Sequence, residues 1–407
     1  MSKILLLTPQ LPYPPRQGAS LRNFNIIQGL AERHELTLLT YLEPSQSADP
    51  ALIAPLLELC AAVQAIPLSQ RPTWQRLGQM IFSRQPDMAH RLNRPEFRRA
   101  LQQLLTAHHF DIVQLEGIEL APFIRVVKKM SPGSKIVFDD HNAEAELQRR
   151  AFMTDLDQIR RWPAAFYSWV QYGRLRRFER WACRMADEVT AVSDLDARLL
   201  QKLAPGLKVT VIPNCIDVQA YSRTAPDPIP FDLVFSGKMD YRPNIDAMLW
   251  FGREIWPLIV AQRPETTWAI VGQQPHARLD RLRDKPNVTI TGQVDSVRPY
   301  LAGAGVYIMP FRLGSGTRLK LIEAMAAGKA IVATPTGAEG FALRHNQDLL
   351  LATDPADFAM SVLHLLGQPT ERARLGQNAR AFAAQYDWRI VIPQFEKVYA
   401  RISSSTS

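Results

Sequence analysis

Thirteen short, β-rich apolar runs recur along the chain, separated by stretches with apolar residues at three-to-four spacing. In the first half the runs are Ile4–Thr8, Leu36–Tyr41, Val63–Ile66, Ile112–Leu115, Ile136–Asp139, Val189–Val192 and Val209–Ile212. The second half adds Leu233–Ser236, Trp268–Val271, Val288–Ile290, Val306–Met309, Ala330–Ala333 and Leu349–Leu351. The runs lack polar alternation, which suits strands buried on both faces of a parallel sheet covered by helices. Segments such as Leu21–Arg33 and Arg318–Ala327 have the helical period. This βαβ rhythm predicts an α/β protein of Rossmann-like, doubly wound domains.

With 407 residues, the chain is long enough for two such domains. The best boundary is the stretch Pro213 to Pro230, whose Thr224-Ala225-Pro226-Asp227-Pro228-Ile229-Pro230 reads as a proline-rich connector. It separates an N-terminal domain, 1–213, from a second domain beginning at 214. Ligands of open α/β sheets bind beyond the carboxyl ends of the strands, so a cleft between the two domains is the expected site.

Composition narrows the partners. Hydrophobic residues make up 46% of the chain and charged residues 21%, which excludes wholesale disorder. No apolar run approaches the roughly 18 residues of a membrane span, and Met1–Pro9 reads as a first strand rather than a signal peptide. Cys60, Cys183 and Cys215 are too few and too dispersed for a disulfide framework or a zinc cluster, and a reducing cytosol is the expected compartment. The net charge of +9 admits nucleic acid, anionic lipid or a phosphorylated small molecule.

The strongest chemical signal follows Val306–Met309. There Gly314-Ser315-Gly316-Thr317-Arg318-Leu319-Lys320 leads into a helix that starts near Thr317 and ends at Gly328. Two glycines permit close backbone approach, and the free N–H groups of a helix start attract an anion. Arg318 and Lys320 oppose the helix dipole in that first turn, so a bound anion explains them better than a solvated face. A dinucleotide fingerprint would need a third glycine where Leu319 stands, and an acidic residue near Thr334.

Leu319-Lys320-Leu321-Ile322-Glu323-Ala324-Met325-Ala326-Ala327-Gly328 resembles the end of the Glu-x7-Glu motif of family 4 glycosyltransferases, retaining enzymes of the GT-B fold. The resemblance implies two Rossmann-like domains facing a cleft, and a nucleotide-diphosphate-sugar donor. It places Glu323 on the donor ribose, while Ser315 replaces the motif's first glutamate. Gly237-Lys238 stands where the family has Gly-Arg, so Lys238 takes the diphosphate-binding role. The family's next lysine falls near Asn244, and Arg318 and Lys320 are candidates for the missing charge. Val271-Gly272 and the loop around Val294 resemble nucleotide-holding segments, and Pro213-Asn214-Cys215-Ile216-Asp217 resembles the family's hinge. Gly314, Ser315, Gly316 and Thr317 complete the implied donor loop. By the same resemblance the second domain ends at 385, and 386–407 forms a helix crossing back to the first.

In the N-terminal half, Gly18 lies in a loop resembling the family's glycine loop, and Arg22 in the following helix faces an anion or solvent. His141, after Ile136–Asp139, falls near the family's donor-contacting residue; Asp140 is placed to orient it, and Glu116 and Glu119 are weaker acceptor-side candidates. Asp155-Leu156-Asp157 and Asp194-Leu195-Asp196 match a metal-binding pattern, but the second follows Ser193 as a helix cap and no metal is expected. Arg149 to Trp181 carries eight arginines against three acids, interleaved with aromatic residues. That stretch suits an anionic membrane surface or, equally, an interdomain helix.

These readings converge on a retaining, metal-independent glycosyltransferase acting on a saccharide or lipid-linked glycan, in the cytoplasm or at the inner membrane face. His141, Lys238 and Lys320 are its expected catalytic groups. A nucleotide-sugar epimerase and a catalytically silent nucleotide-sugar-binding protein are the alternatives; nucleic acid is not an expected partner.

Overall fold

The computed structural model describes residues 1–15, 18–42, 50–69, 71–156, 162–227, 230–314 and 316–404. It divides into two compact units, one holding Met1–Pro15, Ala19–Pro213 and Val391–Ser407, the other Gly18 and Asn214–Ile390.

The first unit carries seven strands: β1 Lys3–Thr8, β2 Glu35–Leu42, β3 Ala62–Pro67, β4 Ile112–Glu116, β5 Lys135–Asp140, β6 Glu188–Ala191 and β7 Val209–Val211. They form a parallel sheet in the order β3-β2-β1-β4-β5-β6-β7. The second unit has β8 Leu233–Ser236, β9 Trp268–Val271, β10 Val288–Gly292, β11 Val306–Met309, β12 Ala330–Ala333 and β13 Leu350–Leu351. Their order is β10-β9-β8-β11-β12-β13, again parallel. All thirteen apolar runs are strands, and both units are doubly wound α/β domains.

Burial explains why the runs lack alternation. Every residue of β4, β8, β9, β11 and β12 is buried, whereas the edge strands β3 and β7 are mostly half-exposed. In both sheets the strand order reverses beside the first strand, between β1 and β4 and between β8 and β11. Diverging connections open a crevice at such a point, above the carboxyl ends of the strands.

The connector is more ordered than its prolines suggest. Asp217 accepts a hydrogen bond from the Ala220 amide at 3.1 Å and caps the helix Val218–Arg223, inside the stretch read as linker. The second unit also runs five residues past 385. Ile216 receives its partners from 386–388: its amide donates to the Tyr386 carbonyl at 3.0 Å, and its carbonyl accepts from Trp388 at 3.0 Å. The final helix, Trp388–Ser404, then packs on the first unit, where Glu396 pairs with Arg33 and Arg401 with Glu188.

The ends of β8 and β9 meet backbone to backbone. Gly237 donates to the Val271 carbonyl at 2.9 Å, and a Cβ on Gly272, at φ +149°, would lie 1.8 Å from the Gly237 carbonyl oxygen. Only glycine fits there. Gly272→Ala is expected to destabilise the protein by about 1–3 kcal/mol, read from chemical denaturation.

Candidate active site

At the crevice of the second sheet, the helix expected from Thr317 begins two residues later, as Leu319–Ala326. Arg318 occupies its cap in extended backbone, which moves the two cations apart in role. The Arg318 side chain is buried; it donates to the carbonyls of Leu313 (3.2 Å) and Thr336 (3.3 Å), and its guanidinium lies 4.0 Å from the Phe311 ring centre. It therefore braces the glycine loop from beneath. Thr317 accepts a hydrogen bond from Asn214 at 3.0 Å. Gly314 and Gly316 flank position 315; Ser315 itself lies outside the described residues.

Lys320 turns the other way, toward the end of β8. Its ammonium donates to the Ser236 carbonyl at 2.8 Å and to Asn244 Oδ1 at 3.0 Å, and lies 4.5 Å and 5.3 Å from the ring centres of Phe235 and Phe311. The positive charge expected near Asn244 thus arrives from another helix. Asn244 is locked in turn by donating to the Lys238 carbonyl at 2.7 Å. No carboxylate pairs with Lys320 among the described residues. Burial, followed by the charge of Arg318, pushes its amine down to about 7, against a smaller opposing pull from Glu323. Two of three ammonium protons are engaged, and the third has no protein partner among the described residues.

Lys238 behaves differently: it is solvent-exposed and pairs loosely with Asp240 at 3.4 Å. Glu323 is buried and accepts a hydrogen bond from the Tyr221 hydroxyl. Burial holds its carboxyl above the usual range, with Tyr221, Lys320 and Arg298 opposing. Tyr221 comes from the helix capped by Asp217, and nothing in the sequence pattern marks it as a site residue. Val271 is buried at the end of β9, and Val294 lies half-buried in the loop after β10.

The first unit holds a second constellation, at the ends of β4 and β5. Here the sequence expectation for Arg22 is overturned. Arg22 is 1% exposed and faces neither solvent nor a free anion. It donates to Asp139 Oδ2 from Nε (3.0 Å) and Nη2 (2.8 Å), and to the carbonyls of Pro213 (2.9 Å) and Ile212 (3.3 Å). Asp139 Oδ1 accepts from Thr190 at 2.6 Å. Burial alone would raise the Asp139 carboxyl, but Arg22 and then His141 hold it below the usual aspartate range.

His141 Nε2 hydrogen-bonds Glu116 Oε2 at 2.8 Å, with Asp139 at 3.7 Å. Glu116, not Asp140, orients the imidazole. Successive strand residues point to opposite faces, so Asp139 and Asp140 cannot both serve one partner. Asp140 is buried without a hydrogen-bond partner among the described residues, and burial followed by the charges of Glu179 and Glu144 holds its carboxyl well above the normal range. Behind Glu116 stands a relay: Gln114 donates to Glu116 Oε1 at 2.6 Å, and Tyr399 of the last helix donates to Gln114 Oε1. Burial lowers the His141 imidazole, but its hydrogen bond to Glu116 and the charges of Glu116 and Asp139 outweigh that, and the net shift is upward. Glu119 pairs with Arg91 at 3.5 Å, and Gly18 is the first residue of the helix Gly18–Ala31.

Glu116, Asp139 and His141 lie close enough together to offer three ligand atoms to an ion. The set does not fit a cation. Both Asp139 oxygens and both Glu116 oxygens already accept hydrogen bonds, and the Arg22 guanidinium supplies positive charge there. Of the two Asp-x-Asp matches, Asp157 lies outside the described residues, and Ser193 caps the helix Asp194–Leu203 by accepting from the Asp196 amide at 3.1 Å.

A model described as Glycosyltransferase Family 4 matches residues 16–220, and one described as Glycosyl transferases group 1 matches 230–368. A phosphatidyl-myo-inositol mannosyltransferase of Mycobacterium tuberculosis is 32% identical over 232 residues, covering 53% of this chain and 60% of the relative. The chain thus matches less than two thirds of the length of such curated relatives. Sucrose-phosphate synthase from Thermosynechococcus elongatus is similar in structure over 100% of both chains, with a TM-score of 0.73 at 16% identity. Anabaena HepE, solved with UDP and glucose, is similar over 98% of this chain and 100% of its own, with a TM-score of 0.66 at 16% identity. These likenesses show the fold.

Replacing Arg22 by alanine strands Asp139 as a buried unpaired charge and is expected to cost about 3–5 kcal/mol in chemical denaturation. The depressed Asp139 pKa means that the pair's contribution is present at neutral pH and fades as pH falls through that pKa. Glu116→Gln is expected to lower the His141 pKa, observed by NMR titration of the imidazole; an unchanged value would remove Glu116 as its partner.

Proposed function

Because the chain belongs to glycosyltransferase family 4, we propose that it moves a sugar from a nucleotide-diphosphate-sugar to a hydroxyl of a saccharide or lipid-linked glycan, with retention of anomeric configuration and without a metal ion. One observation carries the reading: Lys320, a half-buried ammonium without a carboxylate partner among the described residues, stands at the crevice of the second sheet with one proton uncommitted. A diphosphate is the counter-ion this place lacks. Charge grows on its leaving oxygen as the glycosidic bond breaks, so a fixed cation there stabilises the transition state more than the ground state.

In the proposed step the C1–oxygen bond to the diphosphate breaks and its electron pair stays on the diphosphate. The acceptor oxygen bonds C1 on the same face, and the acceptor's proton passes to the departing diphosphate oxygen. The helix amides after Gly316 assist the diphosphate, Glu323 and the Val271–Gly272 and Val294 segments hold the nucleoside, and His141 contacts the sugar. Lys238, exposed and only loosely paired with Asp240, adds charge at the rim. Membrane contact is proposed through the exposed Trp162, Phe166 and Trp169 of the helix Trp162–Met185, at the cytoplasmic face. Among the described residues no helix is long and apolar enough to cross a membrane. The mannosyltransferase relatives are named for phosphatidyl-myo-inositol, a lipid, which is in keeping with a lipid-borne acceptor.

The test is incubation with a panel of nucleotide-sugars and glycan acceptors, following nucleoside diphosphate release and the anomeric coupling of the product. Acceptor-dependent release with retention that survives EDTA supports the proposal. A free epimer formed without acceptor supports an epimerase, and tight binding without turnover a silent protein. Lys320→Ala is expected to weaken nucleoside diphosphate binding roughly 10–100-fold by calorimetry. With an amine near 7 in the free protein, a bound diphosphate raises its proton affinity. Binding between pH 7 and 9 should therefore take up a proton and weaken as pH rises, and Lys320→Ala should lose both effects.

A further inference from the structure

A second cationic site lies wholly within the first unit and is independent of the donor reading. Five arginines, Arg84, Arg98, Arg125, Arg174 and Arg177, line one cavity of about 290 Å³ between the helix Trp162–Met185 and the elements that cover it. No carboxylate lines this cavity, and none of the five guanidinium groups forms an ion pair among the described residues. Neighbouring arginines do otherwise: Arg71 pairs with Asp87, and Arg91 with Asp87 and Glu119. Like charges gathered around one space repel, and arginine keeps its charge when partly buried, so the arrangement is stable only with help from solvent or an anion.

The guanidinium groups are positioned rather than loose. Arg125 stacks on the Trp181 ring at 4.6 Å, and Arg98 lies 5.8 Å from the Phe123 ring centre while donating to Asn93 at 2.8 Å. Stacking on a ring face leaves the edge N–H groups directed outward, the geometry that meets phosphate oxygens in pairs. Arg174, which lines this cavity and the neighbouring one beside Asp87, has its Nη1 buried with no hydrogen-bond partner among the described residues, an unmet donor next to the space.

We propose that this cavity binds the phosphate group of a ligand other than the sugar donor, with Arg125 and Arg174 as its principal contacts. The phosphate comes either from a soluble phosphorylated compound or from a phospholipid headgroup, and the experiment separates the two. Wild-type protein and Arg125→Ala/Arg174→Ala are titrated with inorganic pyrophosphate by calorimetry, and both are sedimented with vesicles of phosphatidylglycerol in phosphatidylcholine at low and high salt. Pyrophosphate bound at the donor site contributes equally to both proteins, so a component at least about tenfold weaker in the variant belongs to the cavity. Loss of pyrophosphate binding identifies a soluble ligand. Loss confined to salt-sensitive vesicle binding identifies a headgroup. Variants that bind both probes as the wild type does overturn the proposal. Because these arginines hold no carboxylate, the variant should keep its thermal midpoint. Should it fail to fold, Arg84→Ala/Arg177→Ala, both exposed, carries the same comparison.

Discussion

The crevice end of the second unit is organised around one half-buried ammonium. Lys320 reaches from the helix Leu319–Ala326 to the carbonyl end of β8, and the neighbouring groups accommodate it. Gly237 leaves room where a Cβ would sit 2.3 Å from the Lys320 nitrogen. Asn244 turns its oxygen to the lysine and its amide to the Lys238 carbonyl, while Phe235 and Phe311 offer ring faces. These are weak compensations for a desolvated charge, and the amine's lowered pKa records the deficit. A site under-compensated in the free protein is one that an anion completes.

The charged cluster at the ends of β4 and β5 in the first unit solves the opposite problem. Its members partner one another: Arg22 with Asp139 and the Ile212 and Pro213 carbonyls, Glu116 with His141 and Gln114. The relay ends at Tyr399, so the last helix, distant in sequence, supports the orientation of His141. Buried networks of this kind are rigid when every member is satisfied. Rigidity suits the proposed role of His141, holding a sugar in one pose.

Much of this was legible in the sequence. Thirteen unalternating apolar runs specified two parallel sheets, because burial on both faces leaves a direct compositional mark. The glycine loop and its basic helix were equally visible, since close backbone approach and opposed helix dipoles demand particular residues. What stayed hidden was direction. Arg22 read as a ligand or solvent group, Asp140 as the partner of His141, and Arg318 as equivalent to Lys320; each depends on which face a side chain takes after a turn of chain. Tyr221 and Tyr399 were invisible for a related reason, as both act on residues about a hundred or more positions away.

The central claim, that Lys320 is the cation awaiting a diphosphate, is tested most directly by a crystal structure with a nucleoside diphosphate bound. The account predicts a diphosphate oxygen within hydrogen-bonding distance of Lys320 Nζ, about 3 Å, beside the start of the helix Leu319–Ala326. A diphosphate seated elsewhere, with Lys320 still bonded only to Ser236 and Asn244, would contradict it.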